Sequence, residues 1–432
     1  MYNLKHTVNT SRIALDLPCM YSFFSSTIER VNLMKVLLLH NRYQFAGGED
    51  GVVKAEKLLL EANEHHVSLL EVSNQDITNA WDKVATAVSA IYSYSAKEQV
   101  SREIIHFRPD IVHVHNFFPL LSPSIYDACH KHGVPVVQTL HNYRLACPKA
   151  MPFRNGKVCE DCIGELIPWP SIVYGCYRNS RVQSSVVTAM ITWHRLRNTW
   201  QERVDAYIVF TEFQKEKMVQ AGLPREKIYV KPNFIFSPDA TAKVYQRDQY
   251  LLFVGRLSEE KGISILIDTY IQENLHIPLK IVGDGPLRQK LQTKVQNSGY
   301  YHVIEFLGFQ DKQVVLSLMQ HANLLVFPSI WYEGFPLTIA EAFACGLPVL
   351  VSKLGGLTEI VEDGVNGLYF EAGNSHDLAQ QIKWASTHDE AMLSMSKGAL
   401  DSYKNKYSSE DNYQQLINIY QQLILKKAAS NT

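Results

Sequence analysis

Short apolar runs recur along most of the chain, separated by longer stretches whose apolar positions repeat at helical spacing. The first half predicts strands at Val36–His40, Val67–Val72, Ile111–His115, Val134–Leu140, Ala206–Phe210 and Ile228–Lys231, and a helix over Gly51–Glu64. The series restarts at Leu251–Val254 and continues through Leu279–Val282, Ile304–Leu307, Leu324–Pro328, Pro348–Ser352 and Gly367–Phe370. Strands alternating with helices specify parallel sheets covered by helices. A restart halfway along specifies two of them. The expected class is α/β, with two doubly wound Rossmann-like domains facing across a cleft.

Met34 opens the first clean strand, so residues 1–33 read as a disordered extension. An N-terminal domain is expected over 34–235, with a cysteine-containing insertion at about 145–178. A linker over 236–250 follows Pro232, a second domain spans 251–405, and residues 406–432 form a helix that crosses back to the first domain. In that helix Leu416, Ile419, Tyr420 and Leu423 make one stripe. Ligands of such sheets bind beyond the carboxyl ends of the strands, which places the site between the domains.

Composition narrows this picture by exclusion. The 432 residues are 46% hydrophobic and 20% charged, ordinary for a globular protein. A formal net charge of −1 gives no general attraction to nucleic acid. No apolar run approaches the roughly 18 residues of a membrane span. An odd count of seven cysteines with no secretory signal core points to a reducing, cytoplasmic setting rather than a disulfide framework.

The chemistry gathers at strand ends. Ser329 to Ala342 leaves a strand, passes Glu333, Gly334, Phe335 and Pro336, and enters a helix that carries Glu341. A helix start after a strand presents free N–H groups to an anion. Two carboxylates so placed suit the hydroxyls of a sugar and a ribose. Gly255, Arg256, Lys261 and Gly262 follow another strand and bring two cations to one loop, which fits a pyrophosphate. Gly283, Asp284 and Gly285 end the next strand, and Gly47 and Gly48 follow the first. Each of these glycines would permit close approach to a ligand.

This ordered set resembles glycosyltransferase family 4, retaining enzymes of the two-domain GT-B type, from about Met34 to the end. The resemblance implies a nucleotide-diphosphate hexose donor. Arg256 and Lys261 would hold the diphosphate, Glu341 the ribose, and Glu333 the transferring sugar. Backbone N–H groups at Phe335, Leu337 and Thr338 would complete the cradle. His141, in Thr139-Leu140-His141-Asn142-Tyr143, matches the family's first-domain histidine and would face the reacting sugar. His113 and His115 are read as alternating faces of one strand, with His115 the one directed to the cleft. The acceptor is expected to be a saccharide or a lipid-linked oligosaccharide of cell-surface polysaccharide synthesis. A nucleotide-sugar epimerase of the same fold, or a non-catalytic nucleotide-sugar-binding protein, is the alternative. A dehydrogenase is excluded because neither half carries Gly-x-Gly-x-x-Gly after its opening strand.

The chain has no Asp-x-Asp to clamp Mg²⁺, so catalysis is expected to need no cofactor, with Arg256 and Lys261 neutralising the leaving phosphate. Cys147, Cys159, Cys162 and Cys176 form a candidate structural zinc set in the insertion. Arg178, Arg181, Arg195, Arg197 and Arg203 surround a helical stripe of Val182, Val186, Ala189, Trp193, Leu196 and Trp200. That segment reads either as a core helix with a basic solvent face or as a peripheral contact with the anionic inner face of a membrane.

Overall fold

A computed structural model describes residues 33–42, 48–73, 88–236 and 247–430. The expectations for residues 1–32, for Gly47 and for most of the linker therefore lie outside the described residues. From Met34 onward the chain packs as one unit.

The first sheet contains β1 (Lys35–Arg42), β2 (His66–Ser73), β3 (Ile111–Asn116), β4 (Val136–Thr139), β7 (Ala206–Val209) and β8 (Ile228–Val230). They lie in the order β2-β1-β3-β4-β7-β8, and every pairing is parallel. A small antiparallel hairpin, β5 (Phe153–Arg154) and β6 (Lys157–Val158), stands apart between β4 and β7. The second sheet contains β9 (Leu251–Val254), β10 (Leu279–Val282), β11 (Ile304–Gly308), β12 (Leu324–Phe327), β13 (Val349–Ser352) and β14 (Gly367–Phe370). Its order, β11-β10-β9-β12-β13-β14, is that of a dinucleotide-binding sheet, again parallel throughout.

Helices cover both faces of each sheet, so the central strands are buried on both sides and read as unbroken apolar runs. Leu37, Val112, Val136 and Tyr207 belong to the first core. The second sheet is sandwiched between one cluster around Leu252, Phe327 and Phe343 and another around Phe253, Leu266 and Val326.

Strand order reverses between β1 and β3 in one sheet and between β9 and β12 in the other. Loops leaving those strands diverge there and open a crevice. The helix Gly48–Ala62 starts beside the first switch, and the Gly255 and Glu333 loops flank the second. The helix Ser409–Ser430 returns to the first domain. There Tyr413 bonds His65 (2.9 Å), Tyr420 bonds His113 (2.7 Å), and Lys231 donates to Asn412 (2.9 Å).

The helix Arg181–Leu196 corrects one reading. Its buried face is Val187, Thr188, Met190, Ile191 and His194. Val182, Trp193 and Leu196, expected as one apolar stripe with Trp200, are 75%, 50% and 65% exposed, while Trp200 lies in the core. The stripe with the best helical spacing is thus the outer one. The inner face hides behind a threonine and a histidine that find partners in Ser171 and Thr199.

Candidate active site between the two sheets

Glu333 sits at the mouth of the helix Leu337–Ala344. One oxygen, Oε1, accepts from Lys261 Nζ (2.7 Å), Ser329 Oγ (2.6 Å) and Trp331 Nε1 (2.9 Å). The Gly255 loop and the Glu333 loop thereby meet in an ion pair, and the two residues expected to serve separate parts of a donor are tied to each other. Gly262, at φ 67°, allows the approach, since a β-carbon there would stand 1.8 Å from the Pro328 carbonyl. Arg256 is exposed and makes no ion pair among the described residues. The helix has no side-chain cap, which leaves the N–H groups of Leu337 and Thr338 without intrahelical partners. Phe335 is buried against Tyr407. Glu341 lies one to two turns in, 3.6 Å from Lys312. Burial raises its carboxyl above the ordinary value, and Lys312 opposes the rise.

Gly283 and Gly285 do a different job from the one expected of them. A β-carbon at Gly283 would stand 1.9 Å from the Gly255 carbonyl, and one at Gly285 would stand 2.5 Å from the Leu257 carbonyl. Their bareness is used up in stacking one loop on the other. Gly48 opens its helix with nothing within 4 Å of a β-carbon.

Across the crevice a β-carbon on Gly334 would lie 3.2 Å from the His141 carbonyl, so His141 and the Glu333 loop are neighbours. The Tyr143 hydroxyl reaches the Glu333 carbonyl at 3.4 Å. Behind His141 runs a buried chain. His141 Nε2 is 3.0 Å from His115 Nδ1, and His115 Nε2 is 3.2 Å from Glu56 Oε1, somewhat off the line of a good hydrogen bond. His113 Nδ1 is 2.8 Å from the same oxygen, and Lys231 Nζ is 3.7 Å from Glu56 Oε2.

The expectation that only one of His113 and His115 could face inward fails for a simple reason. Residues two apart on a strand share a face, and both rings touch Glu56, with His115 also lining a small cavity beside His141. Glu56, His113 and His115 bring ligand atoms within 4.8 Å of one another, but the Lys231 ammonium already supplies the positive charge beside that carboxylate.

Burial alone would raise the Glu56 carboxyl, yet His113 and His115 hold it well below the ordinary range. Burial pushes His115 down to about 4, and burial followed by His115 holds His141 well below the imidazole value. The His115 and His141 rings are therefore neutral, and His115 Nδ1 and His141 Nε2 stand at hydrogen-bond distance with one proton between them.

Sequence reasoning missed Glu56, and it missed Glu49. Burial and then Asp50 push Glu49 up to about 8, while Arg144, Asn116 and Asn142 oppose the shift. Asn116 donates to it at 3.0 Å. Asn116, His141, Asn142 and Arg144 also line a small cavity. An acid directly after Gly-Gly at a helix start was the available signal for Glu49. Nothing local marked Glu56.

A glycosyl transferases group 1 model matches residues 239–401, and a glycosyltransferase family 4 model matches residues 82–236. The chain belongs to glycosyltransferase family 4. It is 34% identical over 172 residues to an uncharacterized glycosyltransferase of Methanocaldococcus jannaschii, covering 40% of this chain and 48% of that protein. It is 25% identical over 234 residues to the putative colanic acid biosynthesis glycosyltransferase WcaL of Escherichia coli, covering 51% and 57%. The chain thus spans about half the length of the curated relatives it matches. Among solved structures, HepE of Anabaena in complex with UDP superposes with a TM-score of 0.64 at 20% identity, over 90% of this chain and all of that one. The fold is GT-B, as family 4 membership implies.

Proposed function

We propose that this family 4 chain transfers a hexose from a nucleoside-diphosphate sugar to a saccharide or lipid-linked acceptor, with retention, in the assembly of cell-surface polysaccharide. The observation that carries this reading is the Lys261–Glu333 pair at an uncapped helix start, with neutral His141 across the crevice. A UDP-bound neighbour and a relative named for colanic acid synthesis support the donor class and the pathway type.

A donor diphosphate entering the mouth draws Lys261 and free Arg256 to its oxygens, while the N–H groups of Leu337 and Thr338 meet it from the helix. Release from Lys261 leaves Glu333, still held by Ser329 and Trp331, to accept from sugar hydroxyls. Glu341 accepts from the ribose. As the glycosidic bond lengthens, charge grows on the leaving phosphate. Donors already in place stabilise that state more than the ground state. The acceptor attacks the face from which the phosphate departs, and a phosphate oxygen takes its proton. Two cations take the part a divalent metal would otherwise play.

We place the reaction at the anionic inner face of a membrane. Val182, Trp193 and Leu196 on the helix and Leu166, Ile167 and Trp169 in the insertion are exposed apolar side chains, the two segments are tied by Arg195 to the Leu166 carbonyl, and Arg178 and Arg181 are exposed as well. Arg197 and Arg203 instead face Asp127, and Arg195 holds backbone carbonyls of the insertion. No described helix is long and apolar enough to cross a bilayer. Co-sedimentation with phosphatidylglycerol vesicles but not phosphatidylcholine vesicles, lost in Trp193→Ser/Arg181→Glu, is expected. Equal binding to both lipids would remove the electrostatic part.

The test of the donor site is thermal stabilisation by UDP-, GDP-, ADP- and dTDP-sugars without metal, in wild type and Arg256→Ala. One nucleotide series should stabilise wild type alone. A shift that survives loss of Arg256 would overturn the diphosphate assignment.

A further inference from the structure

The insertion between β4 and the helix Arg181–Leu196 carries four cysteines that sugar transfer does not use. Cys147 closes a turn by donating its N–H to the Tyr143 carbonyl (2.7 Å). Cys159 leaves the hairpin β5–β6 with its N–H on the Pro152 carbonyl (3.1 Å), and Cys162 ends the Cys-x-x-Cys turn. Cys176 follows the short helix Pro170–Val173 and bonds back to the Ser171 carbonyl (2.9 Å). Arg154 on the hairpin lies 3.8 Å from the centre of the Tyr174 ring and pairs with Asp161 at 2.7 Å. Hairpin, Cys-x-x-Cys turn and Cys176 segment are thus bound side by side.

All four are free thiols. Cys147 and Cys162 are buried. Their hydrogen-bond outlets are long: Cys147 Sγ to the Met151 carbonyl is 3.7 Å, and Cys162 Sγ to the Pro168 carbonyl is 3.9 Å. Lys149 and Arg154 stand beside the group and would offset a charged thiolate cluster. Leu145, Ala146 and Phe153 anchor the insertion, but Leu166, Ile167, Trp169, Val173 and Tyr174 are all exposed. With half of its large apolar side chains outside any core, the insertion is the kind of segment a staple would steady.

The turn also carries something outward. Glu160, between Cys159 and Cys162, accepts from the Tyr332 hydroxyl (2.7 Å) and pairs with Lys217 (2.6 Å). Tyr332 is the residue before Glu333. At the hairpin tip a β-carbon on Gly156 would stand 3.3 Å from the Glu259 carboxylate, in the loop of Arg256 and Lys261.

We propose that Cys147, Cys159, Cys162 and Cys176 bind one tetrahedral structural zinc ion, and that this clip fixes Glu160 as a strut holding the Tyr332–Glu333 loop. Four S–H groups release their protons to solvent as four Zn–S bonds form, leaving a site of net charge −2. Zn–S bonds of about 2.3 Å place tetrahedral sulfurs about 3.8 Å apart. The four sulfurs stand wider than that, since no three of them fall within 4.8 Å, so binding draws them together and is coupled to ordering of the insertion.

The test uses the full chain without any sugar substrate, so it stands apart from the transferase reading. Elemental analysis of protein purified without chelator should find one zinc per chain. Replacement with Co²⁺ should give thiolate-to-cobalt charge transfer in the near ultraviolet and strong tetrahedral d–d bands. Cys159→Ser and Cys176→Ser should lose the metal, and Cys345→Ser, in the second domain, should keep it. A folded wild-type chain that takes up neither metal, or zinc retained in both cysteine variants, would overturn the site. For the strut, chelation should raise amide exchange in Ser329–Phe335 as well as in the insertion, and Glu160→Gln should raise it in Ser329–Phe335 alone. Unchanged exchange of that loop in both experiments would overturn the strut.

Discussion

Glu56 and Glu333 are 2% and 5% exposed, and each has a lysine beside it, yet the molecule uses them in opposite ways. Glu56 is enclosed on every side by His113, His115 and Lys231, with Tyr420 of the last helix closing over them. Glu333 lies at an opening, and its lysine partner can leave for a ligand. A buried charge with immobile partners holds structure together; one whose partner can exchange is equipped for chemistry.

The largest effect should follow from cutting the enclosed set. Glu56→Leu leaves Lys231 buried without its anion and should cost about 3–5 kcal/mol in urea unfolding. Glu56→Leu/Lys231→Met should recover much of the loss. A loss below about 1 kcal/mol would erase the contrast. Glu333→Gln should lower kcat/KM about a hundredfold, roughly 3 kcal/mol of barrier, while stability moves by no more than about 1 kcal/mol, because the amide oxygen of Gln can still accept from Ser329 and Trp331.

Acid should separate the two regions further. In the unfolded chain His115 takes up a proton near 6.5, but in the folded chain only near 4. Between those values the unfolded chain binds more protons, so stability should fall as pH drops from about 6.5 towards 4, and Glu56 extends the loss below 4.5. Glu49 acts in reverse. Its folded value of about 8 stands above 4.5, so its contribution is present at low pH and lost as pH rises through 8. Melting temperature against pH should show both slopes, with Glu49→Gln removing only the alkaline one. The smallest effect belongs to Tyr420→Phe, about 1 kcal/mol for the hydroxyl that meets His113.

The same contrast explains what could be read in advance. The central strands were legible because strands covered on both faces are continuous apolar runs, edge strands such as β2 showed shorter ones, and the ends of all twelve shifted by only a residue or two. The two-residue strands of the hairpin carry no such signal. The placing of Glu333, Lys261 and Arg256 at the crevice was legible because each sits in a short loop after a strand. Glu56 was not: inside Gly48–Ala62 it looks like any helix-surface acid, and its partners arrive from β3, from the residue after β8 and from the last helix. Gly283 and Gly285 were read as making room for a ligand, when the neighbouring loop takes that room.

Two strands of chain join the domains. One is the Lys231–Phe236 segment leaving β8. The other is the Tyr403–Tyr407 turn leading into the helix that carries Tyr413 and Tyr420. They run together where Ile235 donates to the Tyr407 carbonyl. A body hung at two adjacent points behaves like a lid on a paired hinge: it swings about one line and resists sliding. Any widening of the crevice therefore pivots at Ile235 and Tyr407, parts Gly334 from His141, and leaves the Glu56 cluster, fastened to the hinge side by the last helix, undisturbed.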